Sequence, residues 1–233
     1  MRRRGWKWAA AGLLLYTVVM GFAGTVPRLP ILNETIRNLY FHVPMWFGMT
    51  IILTISVVYS VRYLLNPQDR NDDVALAAAN VGILFGVLGI LTGSVWARYT
   101  WGAWWVPDVK LNAAAVATLI YLAYGVLRGS LTDREQAARI GAVYNVFAYA
   151  ALVPLLFVLP RLTDSLHPGN GGNPGFNAYD LDRNLRMVFY PAVIGWTLLG
   201  WWIATLQIRL RRLEARREEH LLTERTPVAA TDL

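Results

Sequence analysis

Apolar stretches recur six times along this chain, each about as long as the 17 to 25 residues that cross a bilayer core, and the charges collect between them. In hydrocarbon, every backbone N–H and C=O must find its partner within the segment, which leaves the helix as the form such a stretch takes. Of 233 residues, 55% are hydrophobic and only 16% charged, against roughly 25% charged in soluble domains. The runs fall at about 6–25, 44–65, 74–96, 112–127, 140–159 and 187–208. The expectation is an all-α integral membrane protein of six transmembrane helices, a single polytopic domain over 1–233. Arg2, Arg3 and Arg4 before the first run resemble the start of a signal peptide. No small-residue cleavage site follows, and Trp6 and Trp8 suit an interfacial anchor, so the run is read as a span.

Basic residues set the expected orientation. With the N-terminus inside, 15 of the 22 Lys and Arg fall on inner segments and seven on outer ones, so both termini are expected in the cytoplasm. The net charge of +7 is then accounted for by topology and membrane lipid, with no need for nucleic acid. The mixed charges over 209–233 read as a basic cytoplasmic tail, helical as it leaves the sixth span. Three segments are left for the outer face: 26–43, 98–111 and 160–186.

The middle outer segment holds WGAWWVPDVKLN, Trp101 to Asn112, with three tryptophans in five residues followed by Asp108 and Lys110. Of three histidines, His220 lies in the charged tail, while His42 and His167 fall in the first and third outer segments. Pro44 suits a first helical turn and pushes Val43 toward an extended form, which places His42 just outside the second span's N-terminus. His167 precedes a glycine-rich stretch that lacks the GK[ST] of a phosphate loop. With no cysteine, thiol redox chemistry and Cys-type zinc sites are excluded. Two imidazoles make a poor structural zinc site, yet two axial imidazoles complete the coordination of a haem iron. Indole faces suit the apolar macrocycle, and cations suit its propionates. Two other readings compete. In a membrane glycosyltransferase or ligase the tryptophans stack a sugar and Asp108 or Asp164 acts as base. In a scaffold the tryptophans only anchor the interface.

WGAWWVPDVKLN resembles the tryptophan-rich "WWD" signature of membrane proteins that handle haem in cytochrome c maturation. With YFHVP before the second span and SLHPG in the last outer segment, the chain is similar to the C subunit family of that system (the CcmC family) over most of its length. The resemblance implies haem b, bound non-covalently and transiently, with His42 and His167 as axial ligands. It implies a platform of Trp101, Gly102, Trp104, Trp105, Asp108 and Leu111, with Lys110 and Arg98 beside it. It also implies a bacterial inner membrane, a site facing the periplasm, and a transfer protein rather than an enzyme. The implied partners are ABC transporter subunits, a small single-span subunit and a periplasmic haem chaperone. Pro107 stands where that family usually has another tryptophan, Lys110 where it has arginine, and Asn112 where threonine or serine is common.

Overall fold

The apolar runs form helices throughout. The computed structural model describes residues 5–29, 31–167 and 181–225; most of the glycine-rich stretch after His167 and the last eight residues of the tail lie outside them. α1 spans Gly5–Ala23, and a 3₁₀ turn over Asn33–Asn38 leads without a break into α2, Leu39–Leu65. α3 covers Asp69–Trp101, α4 Val109–Ser130 and α5 Arg134–Val153. A π turn at Pro154–Val158 continues α5 into the short α6, Leu159–Leu162. α7 runs over Arg183–Arg225, well past the sixth apolar run. Six helices are long and apolar enough to cross a membrane, and no strand occurs among the described residues.

Two helix ends differ from the sequence reading. His42 lies inside α2 and not before it, because the 3₁₀ turn starts the helical path several residues upstream of Pro44. A proline this near a helix start removes a single intrahelical hydrogen bond and is tolerated. α3 also runs farther than the third apolar stretch. Arg98 and Trp101 are therefore helical, and the middle connection shortens to 102–108.

α2 is central, packing on α3, α5 and α7, while α1 leans on α7 and α4 bridges α3 and α5. The closest pairing is α2 with α3. Glycines at 82, 86, 89 and 93 share one face of α3 and meet Leu53, Met49, Trp46 and His42 of α2. The spacing of four, three and four matches on the two antiparallel helices, so large side chains of one seat against bare backbone of the other. Between lipid-solvated helices, such small-residue stripes permit the close approach that dispersion needs. A Cβ on Gly89 would come within 2.7 Å of the Trp46 ring, and one on Gly93 within 2.8 Å of His42 Cε1.

Two polar clusters tie the helices together inside the bundle. Asn145, fully buried, donates to Ser56 Oγ at 2.7 Å and Ser60 Oγ at 2.9 Å, and Ser56 donates to Ala75 O. Nearer the α3 N-terminus, buried Asp72 accepts from Arg128 at 2.6 Å, which joins α3 to α4. Large apolar side chains such as Val126, Phe147 and Leu119 point outward, as expected of a lipid-facing surface.

Candidate functional site

WGAWWVPDVKLN folds as the end of one helix, a tight turn and the start of the next. Gly102 closes α3 with φ of 79°, the left-handed conformation that a glycine adopts without steric cost. The Arg98 guanidinium donates to the Gly102 carbonyl, which covers an otherwise unpaired group and favours a cation at this end of the helix dipole. Asp108 caps α4, its Oδ1 accepting from the Lys110 amide at 2.9 Å. The turn directs the two adjacent indoles apart. Trp105 lines a cavity and donates its Nε1–H to Asn112 Oδ1 at 3.2 Å. Trp104 lies outside that cavity and is 61% exposed.

His42 and His167 line this same cavity, although 125 positions separate them in the chain. Its walls are mainly apolar, with indoles from Trp46, Trp96, Trp101 and Trp105. Edge-on rings fix each imidazole plane. Trp96 stands 5.7 Å from His42 at 78°, and Trp101 stands 5.0 Å from His167 at 67°. Lys110 and Leu111 reach the cavity from α4's first turn, whereas Arg98 and Gly102 do not line it. Leu156, Phe157 and Pro160 join from the π turn and α6, a segment type that often marks functional sites.

Asp108 is the hub on the loop side. It is 3% exposed, and its Oδ2 accepts from Ser165 Oγ at 2.9 Å and the Leu166 amide at 2.7 Å. Its Oδ1 lies 3.1 Å from His167 Nδ1. Burial alone would raise the Asp108 pKa, but those hydrogen bonds, His167 and the Lys110 amide outweigh it and hold the carboxyl below its usual range. Burial pushes His167 down to about 4, against the opposing pull of Asp108. The imidazole is therefore neutral near pH 7 with its one hydrogen on Nδ1, facing an acceptor-only carboxylate, and the Nε2 lone pair is left bare. A carboxylate so fully occupied is a poor general base. Asp164, the other candidate base, is exposed and outside the cavity.

His42 is held in a parallel way. Its Nδ1 lies 3.0 Å from Thr92 Oγ1, and the Thr92 hydroxyl hydrogen is committed to the carbonyls of Leu88 and Gly89 at 2.8 and 3.2 Å. With its hydrogen so placed, the hydroxyl accepts from His42 Nδ1–H, the tautomer that leaves Nε2 bare in the neutral ring. Metal-binding histidines have this arrangement, with the remote N–H tied to a partner that sets tautomer and orientation. Thr92, Ser165, Trp46, Trp96 and Gly93 were not evident as site residues from sequence. A threonine and two tryptophans within apolar runs read as ordinary span residues, although Thr92 and Trp96 sit on the helix that carries the motif. Among the described residues no cluster of three or more His, Cys, Asp or Glu could hold a bare metal ion. Two imidazoles suit an iron whose remaining ligands arrive with it.

Comparison with known proteins gives one consistent result. The family model described as Heme exporter protein C matches residues 3–223. Curated proteins carrying that same description are similar along the chain. The one from Bradyrhizobium diazoefficiens is 28% identical over 211 residues, covering 90% of this chain and 78% of its own length. Those from Rhodobacter capsulatus and Escherichia coli K12 are each 27% identical, across 90% of this chain and 88% and 83% of their own lengths.

Proposed function

The chain belongs to the heme exporter protein C family, and on that premise we propose that it holds haem as cargo between His42 and His167 and presents it to a haem chaperone. It acts as a multi-pass bacterial membrane protein in haem handling for cytochrome c maturation. The observation that carries the reading is the convergence of two imidazoles, each with Nδ1 held by a side-chain oxygen, on one indole-walled cavity. The residues fit haem b. His42 and His167 would supply the axial nitrogens, Trp105, Trp101 and Leu111 the apolar contacts, and Lys110 a cation for a propionate.

The chain's own residues bind, orient and release. Asp108 and Thr92 keep the imidazoles aimed, the cavity walls exclude water, and Trp104 offers an exposed indole at the rim. The site lies at the periplasmic face, with both termini cytoplasmic. A periplasmic chaperone receives haem there, a single-span subunit sits alongside, and ABC transporter subunits provide the energy for release. The covalent step falls to the chaperone, so this chain is a positioning and transfer protein rather than an enzyme.

Absorption spectroscopy tests the reading. The purified protein should show a Soret band with a low-spin, six-coordinate ferric spectrum, and His42→Ala or His167→Ala should alter or abolish it. Unchanged spectra in both single variants would sink the two-histidine site.

A further inference from the structure

A second cavity, of about 1120 Å³, opens at the other end of the bundle, where α1 begins and α7 leaves the membrane span. Seven basic side chains line it against two carboxylates, Asp69 and Asp73. Its distance from the first cavity follows from α7. Leu185 lines one cavity and Arg209 the other, and their separation of 24 residues spans about 36 Å of helix. That slightly exceeds the roughly 30 Å of a hydrocarbon core, so the second cavity sits at headgroup depth.

Its cations are partly fixed in place from beneath. Asp73, itself buried, lies 3.4 Å from Arg211, 3.5 Å from Arg212 and 3.7 Å from Arg134. These acids hold guanidinium groups at the wall but do not neutralise the cavity. Arg70, Arg209 and Arg216 have no ion pair among the described residues, whereas Arg211 is held by Asp73 and Asp72. Trp6, Trp201 and Ile208 give the same cavity an apolar flank. Lys7 lies over the Trp202 ring at 4.8 Å, holding α1 and α7 together at this rim.

We propose that this cavity binds the phosphodiester headgroup of an anionic lipid, with its acyl chains along the tryptophan flank. Forked guanidinium groups match phosphate oxygens, and basic pockets between spans are recurrent headgroup sites. The proposal is independent of the haem reading, since none of its residues lies in the first cavity.

Native mass spectrometry of the full chain, released from detergent with phosphatidylglycerol or phosphatidylcholine, tests it. The expected result is retention of phosphatidylglycerol in preference to phosphatidylcholine. Arg70→Gln, Arg209→Gln and Arg216→Gln should each weaken that retention about fivefold. None of the three forms an ion pair among the described residues, so helicity by circular dichroism should not change. Should a combined variant fail to fold, the single variants decide. Equal retention of both lipids, or single variants that hold lipid as well as the parent, would overturn the proposal. So would inorganic phosphate displacing the lipid at equal concentration, which would mark a site for free phosphate.

Discussion

Asp108 receives four donors on two buried oxygens, and by doing so it sets where His167 points. Asp108→Asn keeps the shape but puts an amide N–H₂ among donors and removes the charge. Outer partners of ligating histidines contribute about 10–100-fold to affinity, so haem should leave this variant faster by that order, measured by capture into an apoglobin. Thr92→Val removes a neutral acceptor, and the increase should be smaller. Equal off-rates in both variants and the parent would refute this role. Trp104 and Trp105 should also separate. Trp105→Ala removes a cavity wall and should weaken haem retention, by about 1 kcal/mol beyond lost area. Trp104→Ala should leave haem content intact and reduce co-purification of the chaperone, because its indole is outside the cavity. The two histidines and the tryptophan cluster could be read from sequence as candidates because histidine is scarce in this chain and clustered indoles beside charges stand out between apolar runs. The hub was not legible. Asp108 meets Ser165 and Leu166 more than fifty positions away, and nothing local signals such a pairing.

Helices supply the precision that loops lack. The six spans were visible as apolar runs, since length and composition alone decide whether a segment crosses. Their ends were less so. Pro44 marked a helix start by its usual habit, but the preceding 3₁₀ turn already carried the helix, and His42 rides on α2 itself. The glycine spacing on α3 can be read from sequence, but which helix fills it cannot, because that depends on how two spans meet. Gly93→Ala tests this contact. The exchange improves helix propensity by up to about 1 kcal/mol, yet its Cβ would fall 2.8 Å from His42 Cε1 and force the ring to move. Helicity by circular dichroism should be unchanged or slightly higher, with the six-coordinate spectrum lost or broadened. An intact Soret band in Gly93→Ala would show that His42 has room to spare.

Across the whole molecule, the two cavities lie at opposite ends, and the charge bias predicts which end faces which compartment. Reporter fusions after Gly102 should be active outside the cytoplasm, and fusions near Gln68 and Asp133 inside it. A cytoplasmic signal from the tryptophan turn would invert the molecule. The interlock of α2 with α3 has one more consequence, and it concerns depth. Sliding α2 by a single turn would seat a different side chain on each glycine and take His42 from its place at Gly93, so the depth of His42 is tied to this register. Trp101 lies eight residues beyond Gly93 on the same helix, about 12 Å along its axis. On the proposed reading, the height at which iron would be met is thus measured out by helical rise, and a partner of any loop conformation would have to reach to that level.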